Sequence, residues 1–138
     1  MVIIVRNLSE DKMVPLLKYA VGPREKSLQK AIKFYEENRN TALYHYKAIA
    51  CIGMEFYAER QARICHIAVL PNSRYKGIAF EMIKKVIHMH GLIYVEAETD
   101  DEAVGFYKKC GFTVTSLGEK YPGIERFHCA LFIHNENS

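Results

Sequence analysis

The sequence predicts a mixed α/β (α+β) domain: a central, mostly antiparallel sheet of about seven strands with four helices around it. Three observations carry that prediction. Short runs rich in Val, Ile, Tyr and Phe recur along the chain, bounded by Gly, Asn or Pro. Between them lie segments whose apolar residues return every three or four positions, the spacing of an amphipathic helix. In the second half the two kinds alternate, whereas in the middle strand-like runs follow one another, so hairpins and helix crossovers both feed one sheet. With 138 residues and no linker, repeat or low-complexity tract, residues 1–138 are expected to form one domain.

Val2–Arg6 is a short β-branched run and the expected first strand. Asn7 or Ser9 can cap a helix reaching about Tyr19, because a side-chain oxygen there accepts from the orphan N–H groups of a first turn. Val21-Gly22-Pro23-Arg24 breaks it, since proline lacks the N–H a continuing helix needs. Lys26–Asn38 repeats the helical spacing with Leu28, Ile32, Phe34 and Tyr35, and Asn38-Arg39-Asn40 turns the chain. Thr41–Tyr46 and Ala48–Ala58 are successive strands, Glu59-Arg60-Gln61 a hairpin turn, and Ala62–Leu70 the next strand. Gly77–His90 is the third helix and Leu92–Thr99 a strand. Asp101–Lys109 is the fourth helix, with Asp100 as its cap and Gly111 at its end. Phe112–Leu117 is a strand, Gly118–Gly123 a loop and Ile124–Ile133 the last strand; the polar residues after it are expected to fray.

Composition narrows the function classes. Hydrophobic residues make up 49% and charged residues 25%, enough for an ordinary core. A net charge of +3 suits an anionic ligand but is too small and scattered for a nucleic-acid surface. No apolar run reaches membrane-spanning length and no leader precedes the first strand. Neither nucleic acid nor membrane is therefore an expected partner, and the cytoplasm is the expected compartment. Cys51, Cys65, Cys110 and Cys129 stand singly with no Cys-x-x-Cys pair, which suggests neither a metal nor a redox dithiol. Each falls in the apolar pattern of a small reduced core residue; for Cys65 the alternative is a nucleophile near the active centre.

The most telling stretch is Ile64 to Ala79. An apolar strand stops at Pro71, a polar basic loop runs from Asn72 to Lys76, and Gly77 opens a helical pattern. The first N–H groups of a helix lack intrahelical partners and sit at the positive end of its dipole, so this junction makes an anion cradle. Arg74 and Lys76 add full positive charge there, and Gly77 places no Cβ in the path of a phosphate. The spacing is neither a P-loop nor a dinucleotide fingerprint. Arg74-Tyr75-Lys76-Gly77-Ile78-Ala79, preceded by Ile67-Ala68-Val69-Leu70-Pro71, resembles the Arg/Gln-x-x-Gly-x-Gly/Ala signature of the GNAT superfamily of acyl-CoA-dependent N-acetyltransferases. A second block, Asp100 to Phe112, resembles the downstream Asn-x-x-Ala-x-x-Phe-Tyr-x-x-x-Gly-Phe pattern of that superfamily.

The resemblance implies a sheet whose two central strands, Ala62–Leu70 and Leu92–Thr99, splay apart so that the pantetheine of acetyl-CoA enters the gap. Pantetheine would pair with the first of these, where Ile67 and Val69 lie, and the N–H near Val69 would polarise the thioester carbonyl. The pyrophosphate would rest on Arg74, Tyr75, Lys76, Gly77, Ile78 and Ala79, with Asp100 and Phe106 completing the cosubstrate site. Lys108 or Lys109 would at most reach a further phosphate. The implied activity is direct transfer of an acetyl group from acetyl-CoA to a primary amine, of a small molecule or of a peptide. Tyr107 matches the tyrosine that protonates the departing thiolate, the alternative being a packing role.

The base is less defined. Histone-type acetyltransferases carry a glutamate where this chain has Arg63, which cannot accept a proton. Glu55, Glu96, Glu98 and His66 are the candidates, or water serves. Glu96 shares a strand face with Tyr94 and Glu98; it is either a catalytic carboxylate of raised pKa or the partner of an arginine. His66 is expected to pack against a helix. The acceptor walls fall to Leu8–Asn38 and Gly118–Arg126, while Tyr44, Tyr46, Phe56 and Tyr57 either pack the sheet or line the acceptor pocket. A second copy of the chain, as a homodimer, is a further candidate partner. The competing readings are an acyl-CoA-binding regulatory module without catalysis and a phosphate-binding protein unrelated to CoA.

Overall fold

Hydrogen bonding between strands organises the computed structural model, which describes residues 2–5, 13–22 and 24–134. Among these, the order is β1 (Val2–Val5), α1 (Met13–Val21), α2 (Glu25–Glu37), β2 (Thr41–Tyr46), β3 (Ala50–Ala58), β4 (Gln61–Val69), a 3-10 turn (Pro71–Ser73), α3 (Ile78–His90), β5 (Tyr94–Asp100), α4 (Val104–Lys109), β6 (Thr113–Tyr121) and β7 (Ile124–Phe132). The strands form one sheet in the order β1-β2-β3-β4-β5-β7-β6. Every neighbouring pair is antiparallel except β4 and β5, which are parallel because helix α3 carries the chain back across the sheet between them.

Each sheet face has its own core. One buries Ile52, Met54, Ile64, Val95, Ala97 and Cys129 under Met82, Ile83 and Val86 of α3 and Tyr107 of α4. The buried α3 residues fall on one helical stripe, as the periodicity requires. The other face buries Leu43, Cys51 and Ala68 under Leu16 and Leu17 of α1 and Leu28 and Ala31 of α2. α3 ends at Gly91, whose φ of +57° lets the Leu92 N–H turn back to the Ile87 carbonyl at 3.0 Å. No helix among the described residues is long and apolar enough to cross a membrane.

Several expected boundaries move. The capping role expected of Asn7 or Ser9 lies outside the described residues; α1 runs past Tyr19 to Val21. β3 begins at Ala50 rather than Ala48, because Lys47 and Ala48 take positive φ (49° and 58°) to close a tight hairpin from Tyr46 to Ile49. The expected loop Gly118–Gly123 is instead mostly strand: β6 continues to Tyr121. Gly118, at φ +77°, sits beside a register shift that bends the strand without ending it. α4 starts at Val104, not Asp101. Asp100 Oδ1 accepts from the N–H groups of Glu102 and Ala103 (both 3.1 Å), so it holds a turn that precedes the regular helix.

Candidate active site

The site begins where β4 and β5 part. They pair only from Gln61↔Tyr94 to Ile64↔Ala97, although β4 runs on to Val69 and β5 to Asp100. Cys65, the next residue of β4, is the extra residue of a bulge against β3, where Gly53 pairs with His66 and Met54 with Ile64. A bulge re-aims the strand that carries it, and this one sits at the point of divergence. Beyond it, the Leu70 N–H donates to Ile49 of the β3 side at 2.8 Å. Strand groups alternate sides, so Ile67 and Val69 direct their N–H and C=O groups into the gap. The result is a cleft of about 960 Å³, with β4 on one wall, β5 and α4 on the other, and the start of α3 at its end.

At that end Arg74 Nε donates to the Val69 carbonyl at 3.0 Å, which fastens the basic loop to the strand's open edge. Tyr75 (φ +64°) and Gly77 (φ +76°) are both left-handed, a backbone form that curls successive N–H groups around a concavity suited to an anion. A Cβ at Gly77 would meet nothing within 4 Å, so the space before the helix is open, and the positive φ is what favours glycine. Arg74, Tyr75, Gly77, Ile78 and Ala79 line the cleft; Lys76 is exposed and stands outside the lining.

Tyr107 lines the far wall, 4% exposed, with its ring edge-on to Phe106 and Phe112 at 5.1 and 5.2 Å. Burial raises its phenol well above the ordinary value, so it stays protonated at any working pH. Such a phenol can protonate a thiolate that is itself desolvated in the cleft. Phe106, Asp100 and the exposed Lys109 share this wall, whereas Lys108 stands outside the lining.

The polar side chains of the α1/α2 face gather at the start of the gap. Arg63 donates to Glu96 through Nη2 (2.8 Å) and Nε (3.1 Å) and to Glu55 through Nη1 (2.8 Å). Glu96 also accepts from Tyr94 (3.1 Å) and pairs with His128 Nε2 at 3.0 Å. Desolvation pushes the Glu96 carboxyl up, but the bonds from His128, Arg63 and Tyr94 outweigh it and hold it below the usual range. The raised pKa considered for Glu96 is thus corrected. The carboxylate is the hub of an ion-pair cluster, stands outside the cleft lining, and stays ionised. Glu98, which does line the cleft, is lowered mainly by Lys120 (2.9 Å), with Arg126 at 3.2 Å adding to it.

His66 does pack against a helix: its Nδ1 meets the Tyr35 hydroxyl of α2 at 2.5 Å, and burial lowers its pKa to about 4. Cys65 lines the cleft with its thiol pushed up to about 11 by desolvation, which disfavours the thiolate a nucleophile needs. Tyr44 and Phe56 pack on His90 of α3, away from the cleft, while Tyr57 lies against Arg63. His128 and Lys120 carry no motif in the sequence, and Tyr35 reads there only as an apolar position of the second helix. The alternation Arg126, His128 in a strand antiparallel to Glu98 and Glu96 is the signal that could have found His128.

A family model described as an acetyltransferase (GNAT) domain matches residues 7–129. No curated protein matches the chain. Among solved structures, a GNAT family acetyltransferase from Elizabethkingia anophelis with acetyl-CoA bound superposes at a TM-score of 0.70 with 18% identity, covering 96% of this chain and 97% of that one. An aminoglycoside 6'-N-acetyltransferase complexed with coenzyme A gives a TM-score of 0.77 with 13% identity over 99% and 98% of the two chains. The dodecameric spermidine N-acetyltransferase from Vibrio cholerae gives 0.69 with 14% identity over 96% and 92%. At such identities these likenesses establish the fold.

Proposed function

The chain belongs to the GNAT acetyltransferase family, and from that premise we propose that it transfers an acetyl group from acetyl-CoA to a primary amine, of a small molecule or a protein, by direct attack. The observation that carries this is the parting of β4 from β5 after Ile64↔Ala97, with an anion cradle at one end of the gap and a buried phenol in its wall. The loop from Arg74 to Ala79 fits a pyrophosphate, because its backbone is left-handed at residues 75 and 77 and open in front of Gly77. Ile67 and Val69 offer edge groups to the pantetheine amides; Arg74 already occupies the Val69 carbonyl, so the Val69 N–H is the free partner there.

Transfer joins the amine nitrogen to the acetyl carbon and breaks the carbon–sulfur bond. Tyr107 supplies the thiolate's proton. The ammonium's first proton goes to water, since Arg63 stands where histone-type acetyltransferases carry a glutamate and Glu96 is tied into ion pairs; the second, left on nitrogen after the attack, restores the proton that Tyr107 gives up. The relatives that take spermidine and aminoglycosides are consistent with a polyamine-like acceptor. The test is free-thiol release from acetyl-CoA across polyamines, aminoglycosides, amino acids and lysine or N-terminal peptides. Release with an amine, and acetylated amine by mass spectrometry, is the expected result; tight acetyl-CoA binding with no release for any amine would leave a binding module instead.

A further inference from the structure

Three residues far apart in sequence form a device that the acid and the phosphate cradle do not use. Tyr35 of α2 reaches over the sheet to His66 of β4, Oη to Nδ1 at 2.5 Å. It can do so only because residue 53 of β3, which pairs with His66, is glycine: a Cβ there would lie 1.7 Å from the phenol oxygen. The phenol is a donor whose hydrogen has no other acceptor among the described residues, so Tyr35 donates and Nδ1 accepts. A neutral ring that accepts at Nδ1 carries its proton at Nε2. Burial keeps both groups uncharged, lowering His66 to about 4 and raising Tyr35. Cys51, Cys65 and Glu55 are the other titratable groups acting on the pair, and each pushes the phenol further toward its protonated form.

Nε2 has no partner among the described residues, and no buried side-chain nitrogen or oxygen among them lacks one. His66 lines the cleft, so Nε2 opens onto it. The ring stands directly after the bulge, where the gap between β4 and β5 closes, and the neighbouring Ile67 presents an open backbone N–H to the same gap. An acyl group at the tip of pantetheine would stop there. Val69 lies three residues further along the strand, about 10 Å away, within reach of the pantetheine rather than of an acyl group beside His66.

We infer that His66 is not a base but a hydrogen-bond donor to the thioester carbonyl oxygen, locked in its Nε2–H form by Tyr35 and given room by Gly53. The inference rests on the acetyl-transfer reading. As the amine nitrogen bonds to the carbonyl carbon, the C=O electron pair moves onto oxygen. The Nε2–H bond strengthens with that charge without giving up its proton. The pair returns as the carbon–sulfur bond breaks, and the thiolate takes its proton from the acid.

The deciding experiment combines nitrogen-15 NMR of the imidazole with kinetics of the intact chain. His66 should be neutral with the proton on Nε2 between pH 5.5 and 8 (a range below which the lowered pKa begins to act), and the Hε2 resonance should move when acetyl-CoA, but not CoA, binds. A proton on Nδ1, a charged ring in that range, or no acetyl-dependent shift would overturn the inference. His66→Leu should lower kcat about a hundredfold with acetyl-CoA affinity kept. His66→Gln, whose amide N–H can replace Nε2–H, should restore much of it. Equal loss in both would make His66 a base, and unchanged kcat with only a lower melting point would make it packing. Tyr35→Phe should release the tautomer, so that a proton on Nδ1 becomes detectable, while burial still holds the ring neutral. If no amine is acetylated by the parent protein, the acetyl-transfer reading falls, while the acetyl-dependent Hε2 shift still decides the contact.

Discussion

Replacing Glu96 by Gln separates the structural from the catalytic role of the carboxylate at the hub of the polar cluster. The substitution keeps shape and removes charge. One amide oxygen can still accept from Arg63, but the amide N–H2 now faces the Tyr94 O–H and the His128 Nε2, which bonded the carboxylate at 3.1 and 3.0 Å. The Glu96 side chain is 15% exposed and that of Arg63 46%, so the pair lies between a buried one and a surface one. Buried charge-assisted bonds are worth about 1.5–3 kcal/mol each and exposed pairs about 0.2–1. The cost should therefore be about 1–2 kcal/mol, a fall in melting temperature of about 3–8 °C for a chain of this size. Glu96 titrates below its unfolded value, so its stabilisation is complete above the unfolded carboxylate range and is lost as pH falls through the folded value. The gap in melting temperature between parent and variant should be widest near neutrality and close in acid. Calorimetry across that range, with a pH–rate profile of the variant, gives both readouts. An unchanged melting temperature together with a rate deficit confined to low and neutral pH would refute this and restore Glu96 as the base.

Gly77→Glu should weaken acetyl-CoA binding by at least about a hundredfold, through lost charge-assisted bonds and added like charge. The left-handed φ of +76° should cost the fold a further ~1–2 kcal/mol. Gly77→Ala, which carries the strain without the charge, should bind far better than the glutamate variant in calorimetric titration; parental affinity in Gly77→Glu would mean the pyrophosphate lies elsewhere. Tyr107→Phe should leave acetyl-CoA affinity intact, because the ring's edge contacts with Phe106 and Phe112 survive. It should lower kcat about a hundredfold. Weaker binding with unchanged turnover would make the tyrosine a binding residue.

Where the chain forms strands and helices, and where it offers an anion a cradle, follows from neighbours in sequence. Apolar spacing fixes a helix face for Met82, Ile83 and Val86, and Pro71 and Gly77 bracket the basic loop, so short-range physics sufficed there. The same short-range rules misplaced the ends of β3, β6 and α4. A glycine reads locally as a loop whether it ends a strand or bends one, and Asp100 caps the turn before α4 as readily as the helix itself. The chemistry of the individual carboxylates and imidazoles was not legible in this way. The protonation of a side chain depends on charges and solvent within a few ångströms, and its partners come from other strands. Glu96 became the hub of an ion-pair cluster because Arg63 lies opposite it on β4 and His128 diagonally on β7. His66 meets the Tyr35 hydroxyl, 31 residues away, through a space that only a glycine at position 53 leaves open. Spacing along the chain can place such groups on a strand, but the packing of strand against helix decides which of them carries a proton and which can give it up.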